Sequence, residues 1–177
     1  NVCKSIYCLW NNESAIIINY NLMIRGTIMD YDKLEIETAF KDGDMIPIKY
    51  TGYGKNISPE FKIKNLSPNA KSLVIILEDL SHPIKNFTHW IAWNIKAESI
   101  IPENVGNMNN VIQGIAYGFH KYVGAKPPIF QKHNYRYTIY SLDNTLDLSS
   151  NSMKKKLLKA IEGHILQKGT IIGYFKR

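Results

Sequence analysis

Residues Ser72–Asp79 read SLVIILED, and the stretch Leu73 to Leu77 offers no polar position at either alternation. A strand with one wet side alternates apolar and polar residues, so a strand that does not alternate needs cover on both faces. The run is also far too short to cross a bilayer. A second such run, THWIAWNI at 88–95, follows after a polar bend, and its Trp90 and Trp93 fall on opposite faces. A central sheet packed on both sides is therefore the frame into which the rest of the chain must fit. LEIETAF (34–40) and YRYTIYSL (135–142) alternate with a period of two, and TIIGYF (170–175) closes the chain as a last strand. MIPIKYTGYG (45–54) reads as a short edge strand that starts near Pro47. Short runs separated by Gly, Pro and Asn clusters point to a β-sandwich or barrel.

One helix is expected. In SMKKKLLKAIEGHILQKG, Leu157, Leu158, Ile161, Ile165 and Leu166 recur near every 3.6 residues, with Ser152 placed to cap the start and Gly169 to end it. His164 then shares the apolar face as a structural residue. Lys154, Lys155 and Lys156 fall in the first turn, where the helix dipole disfavours cations, and read as a solvated face.

Residues 1–29 differ from the rest. They are rich in Asn and Ile, lack periodicity, and carry both cysteines, Cys3 and Cys8. Their spacing suits neither a zinc pair nor a redox motif, and no continuous apolar centre marks a secretory signal. The stretch reads as an N-terminal extension, an added strand or a partner-binding arm, with Met23 or Met29 a natural start for a folded domain at 30–177. A domain without cysteine fits a reducing cytoplasm. The net charge of +7 is uneven: from Lys121 onward eleven Lys/Arg face three Asp/Glu, whereas the first 120 residues hold eleven against twelve. A basic C-terminal third suits anionic partners, although charge alone gives nucleic acid only salt-sensitive, unspecific attachment, and no aromatic–basic nucleic-acid motif accompanies it.

Strand ends of a sandwich bring distant polar groups to one edge. Asp79 and His82 lie in the first bend, His89 opens the next run, and YVGAKPPIFQKHNYRY (122–137) supplies Tyr122, Gly124, Pro127, Pro128, His133 and Tyr135. Two imidazoles offer ring N–H groups to an anion, and a carboxylate fixes a tautomer or receives an ammonium. Gly124 lets backbone approach closely, and paired prolines stiffen a loop. Asp79, His82, His89 and His133 are also zinc-ligand types, and a zinc held there with one open position would activate water, the alternative of a metal-dependent hydrolase. However, no compact HxH or HxxxH pair is present, and the adjacent Glu78 and Asp79 point to opposite faces of a strand. No Ser- or Cys-based catalytic arrangement is recognisable.

Four segments in series resemble the phosphatidylethanolamine-binding protein family, the group that includes Raf kinase inhibitor-like proteins and their bacterial and archaeal relatives. They are AFKDGDMIPIKYTGYGKNISPEF, KSLVIILED with THWIAWNI, PPIFQKHNYRYTIYSLD and GHILQKGTIIGYFKR. The resemblance runs from about Leu34 to Arg177. It implies a Greek-key antiparallel β-sandwich with a C-terminal helix and a small anion pocket lined by Asp79, His89, Gly124, Pro127, Pro128, His133 and Tyr135. The Asp-Pro-Asp-x-Pro motif falls on Asp79, Leu80, Ser81, His82 and Pro83, and the His-Arg-Tyr triplet on His133, Asn134 and Tyr135. Its second Asp and its Arg are thus absent together, as for the loss of a structural ion pair, and Ala125 stands where Pro is usual. The resemblance implies a non-enzymatic module without cofactor that binds phosphate or a phosphorylated head group. It also implies a kinase or protease as protein partner, homodimers among the assembly states, and membrane contact that is peripheral at most.

Overall fold

The computed structural model describes residues 31–177. The extension read at 1–29, with its two cysteines, lies outside the described residues. The elements run β1 (Asp32–Lys33), β2 (Ile36–Thr38), β3 (Phe61–Ile63), β4 (Ser72–Asp79), β5 (Phe87–Lys96), β6 (Ile100–Ile101), β7 (Ile112–Gln113), β8 (Lys132–Leu142), α1 (Lys154–Ile161) and β9 (Ile165–Lys176). Six strands form one sheet in the order β1-β9-β8-β4-β5-β7, and β2-β3-β6 form a second. Pairing is antiparallel except between β1 and β9.

β4 sits between β5 and β8, and all eight of its residues are buried. Leu73, Ile75 and Leu77 face the small sheet, in one apolar cluster with Phe61, Trp90, Tyr135 and Tyr137. Val74 and Ile76 face the other way, in a second cluster with Trp93, Leu146, Leu157 and Ile161. The unbroken apolar run thus has its physical cause: one face is covered by a sheet and the other by α1 and the chain before it. Trp90 and Trp93 divide between the two clusters in the same manner.

Two expected elements need correction, and the Ser152 side chain makes no cap, the helix starting after Met153 with no side-chain cap hydrogen bond. The strand expected at 45–54 is a single backbone bridge, Met45 to Tyr174, followed by a 3-10 turn at Ile48–Tyr50. Pro47, with φ fixed at −57°, starts that turn, and its carbonyl accepts the Tyr50 N–H. The helix is shorter than its apolar period suggested. It ends at Ile161, the chain reverses at Gly163 with φ +81°, and Ile165 onward belongs to β9, hydrogen-bonded to β8 along its length. Gly169 lies inside that strand. A β-carbon there would come within 2.4 Å of the Leu34 carbonyl, so its missing side chain serves packing and not a helix end. His164 lies in the reversal, half exposed, with Nδ1 2.9 Å from Asp143 Oδ1.

Candidate functional site

The β4–β8 register places Asp79 opposite Tyr135 and Glu78 opposite Arg136. Side chains on one face of paired strands meet directly or on the diagonal. Asp79, Tyr135 and His133 therefore converge on the face toward the small sheet, and the neighbouring β5 brings His89 to the same place. His133 Nδ1 donates to Asp79 Oδ2 at 2.7 Å, and the Ser81 N–H donates to Asp79 Oδ1 at 2.8 Å. His89 Nε2 stands 3.9 Å from the same Oδ2, too far for a hydrogen bond. Its other nitrogen, Nδ1, lies 3.2 Å from the carbonyls of both Val123 and Gly124. Carbonyls only accept, so Nδ1 carries the hydrogen, and the neutral ring turns a bare Nε2 toward the acid.

These groups are nearly dry. Asp79 and His89 are 2% exposed and His133 6%, so His133 is the most exposed of the three. Burial holds the His89 pKa below its usual value, against the opposing pull of the Asp79 carboxylate and the two carbonyls. Burial, reinforced by Asp79, pushes the Tyr135 phenol well above its ordinary range. On its outer side His133 Nε2 meets Gln131 Oε1 at 3.0 Å. Two arrangements satisfy both His133 contacts: an imidazolium that donates twice, or a neutral ring that accepts from the Gln131 amide turned over.

The 122–128 loop is zipped to residues 50–56. The Tyr122 hydroxyl donates to the Tyr50 carbonyl, Gly52 N–H to Ala125 O, and the Tyr53 hydroxyl to Pro127 O at 2.6 Å. The Gly124 N–H is taken by Asn56 Oδ1 at 2.8 Å, so this amide faces the protein. A β-carbon at Gly124 would lie 2.1 Å from the Tyr50 carbonyl oxygen. Its glycine is thus required by backbone packing, and its carbonyl orients His89. Pro127 is buried and Pro128 exposed. Tyr135 accepts the Lys126 N–H at 3.2 Å and packs edge-on to His89.

Leu80 N–H bonds Asn134 O, and Asn134 N–H bonds Ser81 Oγ at 3.0 Å. The two positions where the resemblance implies an Asp and an Arg therefore adjoin here too, joined by neutral hydrogen bonds beside the Asp79–His133 contact. His82 stacks on Phe87 with ring centroids 4.1 Å apart and accepts the Ile84 N–H on Nδ1. It does not join Asp79, and among the described residues no group of three or more His, Cys, Asp and Glu is placed to hold a metal ion.

Three neighbours of the site were not among the site residues expected from the sequence. Gln131 covers His133. Tyr117 packs edge-on to His89 at 4.9 Å from the tight turn Tyr117–Gly118. Glu78, behind Asp79, binds Arg136 and Lys154, each at 2.7 Å, and Lys154 also donates to Asn86 O. Burial alone would raise the Glu78 pKa, but the two cations outweigh it and hold it below the usual value. Lys154 is therefore no part of a solvated face: it ties α1 to the β4–β5 bend. Of these three, only the placing of Glu78 one residue from Asp79 was a clue.

A family model described as phosphatidylethanolamine-binding protein matches residues 36–176. The chain belongs to the phosphatidylethanolamine-binding protein family. Relatives include a UPF0098 protein of Pyrococcus horikoshii, 41% identical over 152 residues that cover 81% of this chain and 77% of that protein. A UPF0098 protein of Archaeoglobus fulgidus is 44% identical over 81% of this chain but only 51% of its own length. Among solved structures, the crystal structure of a putative phosphatidylethanolamine-binding protein homologue from Chlamydia trachomatis superposes with a TM-score of 0.73 at 30% identity, covering 82% of this chain and 99% of that one. E. coli YbcL, described as a member of the mammalian family, gives 0.74 at 19% identity over 82% of this chain and 99% of its own, a likeness of fold. The mostly β fold with two sheets and one helix is thus the fold of this family. Among the described residues no helix is long and apolar enough to cross a membrane.

Proposed function

We propose that this family member is a non-enzymatic binding protein for a small phosphate-bearing anion, held at the outer edge of His133. The observation that carries the reading is the chain of contacts Gln131–His133–Asp79: a buried carboxylate fixes one imidazole nitrogen, and the other meets only a neutral amide that can swing aside. An anion taking the place of Gln131 Oε1 receives the Nε2–H of the doubly donating form of the ring, which Asp79 holds in place through Nδ1. His89, one ring away, supplies further positive charge on protonation. No side chain in the cluster is placed as a nucleophile activated by a base. Isothermal titration of wild type and His133→Ala with phosphoethanolamine tests the reading. Binding by wild type and about a tenfold or greater loss in the variant are expected, and equal heats would overturn it.

The low His89 pKa adds a pH signature. An entering anion favours the charged ring, so binding takes up a proton and affinity rises as pH falls below neutral. Sulfate suits the measurement because it does not titrate in this range. Sulfate affinity should climb between about pH 7 and pH 5, by at most about tenfold per pH unit for one proton, and the climb should flatten in His89→Gln. For stability the sign is opposite. A depressed folded pKa contributes stability that is present above the unfolded value, 6.5, and is lost as pH falls through the folded one. Ligand-free thermal unfolding should therefore weaken on acidification, and less steeply in His89→Gln.

A further inference from the structure

The last residues of β9 run along the site. His133 pairs with Phe175 across the β8–β9 ladder, and beyond that pair the Arg177 N–H reaches the Gln131 carbonyl at 3.4 Å. The Phe130 N–H closes the same contact on the Arg177 carbonyl at 2.8 Å. Alternate side chains of a strand share a face, so Arg177 follows the buried Phe175 on the face of His133 and Gln131. The aromatic contacts agree with this placing. Tyr53 stacks on Phe175 with ring centroids 6.0 Å apart, and the Arg177 guanidinium lies over Tyr53, 4.5 Å from its centroid. The Tyr53 hydroxyl bonds Pro127 O, which ties this cation to the loop whose carbonyls hold His89. Lys126 of that loop lies along Gly52, where an added β-carbon would come within 3.1 Å of its stem. Among the described residues neither Arg177 nor Lys126 pairs with a carboxylate.

Acid is missing from the same walls. The segments 45–59, 80–96, 104–142 and 163–177, from which the surroundings of His133 and His89 are drawn, contain no Asp or Glu. Asp79 does not make up for them. It is 2% exposed, and its two oxygens already accept from His133 Nδ1 and the Ser81 N–H. Glu78 points to the other face and is bound by Arg136 and Lys154. An ammonium brought in with a ligand therefore finds no anionic partner and meets unpaired cations. An aromatic face is the other device that holds an ammonium. Here the Tyr53 face already carries Arg177, and His82 covers Phe87 at 4.1 Å between ring centroids. A phosphomonoester without a cationic group carries about −1.5 to −2 charges at neutral pH and meets no such conflict.

We propose that the site selects a phosphomonoester that bears no amino or ammonium group, and that Arg177 is the residue that sets this preference. The inference rests on the anion reading of His133 and adds the charge of the rest of the ligand. An anion that displaces the Gln131 amide comes between the His133 Nε2–H and the Arg177 guanidinium, whose fork of N–H donors matches phosphate oxygens. The test is isothermal titration of the full chain with glycerol phosphate, phosphoethanolamine, phosphocholine and dimethyl phosphate. Glycerol phosphate should bind about fivefold or more tightly than either zwitterionic ester. Dimethyl phosphate, a monoanionic diester like the linkage of a lipid headgroup, should also bind more weakly. In Arg177→Gln, glycerol phosphate should lose about fivefold in affinity and its lead over phosphoethanolamine should narrow. In Arg177→Glu the order of the two should reverse. Both variants should keep the wild-type melting temperature, because the Arg177 side chain is exposed. Phosphoethanolamine or phosphocholine binding wild type as tightly as glycerol phosphate would overturn the proposal and leave the anion site at His133 standing. So would dimethyl phosphate matching glycerol phosphate, or an Arg177→Gln variant with the full preference. No heat from any of the four compounds, or equal heats in His133→Ala, would remove the anion site itself and this selectivity with it.

Discussion

Asp79→Ala should lower the free energy of unfolding by about 2–4 kcal/mol and remove anion binding. The carboxylate is 2% exposed and accepts from His133 Nδ1 and from the Ser81 amide. Truncation leaves a buried donor facing a void, and each unsatisfied group costs about 1–3 kcal/mol. Asp79→Asn should cost less, because its one carbonyl oxygen still serves either donor. Affinity gives the sharper test. A carboxylate across the imidazole ring from a bound anion, roughly 7 Å away, repels it by about 2 kcal/mol at an effective dielectric near 20. Removing it would therefore strengthen binding if Asp79 were a bystander. Binding should weaken instead, because the ring that meets the anion owes its orientation to Asp79. Urea unfolding and titration calorimetry on both variants decide between the two, and a tighter-binding Asp79→Asn would remove Asp79 from the site's machinery.

What the sequence revealed and what it hid divide along physical lines. The double-sided burial of β4, the opposite faces of Trp90 and Trp93, and the split between Glu78 and Asp79 all follow from a two-residue period, which is local information. The limits of α1 were misread because Ile161, Ile165 and Leu166 satisfy a helical spacing although the last two belong to a strand. The stop signal was the Glu162-Gly163 pair, where a left-handed glycine reverses the chain. The meeting of Asp79 with His133 bridges 54 residues, and that of Lys154 with Glu78 bridges 76. No local pattern encodes either. The first came within reach through the family resemblance, whereas the second had no motif to announce it. Gln131 escaped notice because a solvent-side amide has no signature until its acceptor has a partner.

Gly124→Ala should be the other severe substitution, costing about 3 kcal/mol or more and weakening anion binding as a consequence. The added carbon would sit 2.1 Å from the Tyr50 carbonyl oxygen and 2.9 Å from Thr51 Cα, and neither is a flexible side chain that could yield. Relief requires the 122–128 loop to lift from residues 50–56. That breaks the Asn56 and Gly52 contacts and withdraws the two carbonyls that hold His89. Gly118→Ala is the natural comparison. Its φ of +80° also disfavours a side chain, but nothing lies within 4 Å of the new carbon. It should cost only about 1–2 kcal/mol and leave binding intact. The pair separates two uses of glycine: close backbone approach at 124, and left-handed conformation at 118. Chemical denaturation of both variants, with phosphoethanolamine titrations alongside, measures the difference. If Gly124→Ala were as stable as wild type yet lost binding, the glycine would be serving the ligand directly, and the packing account of the loop would have to be abandoned.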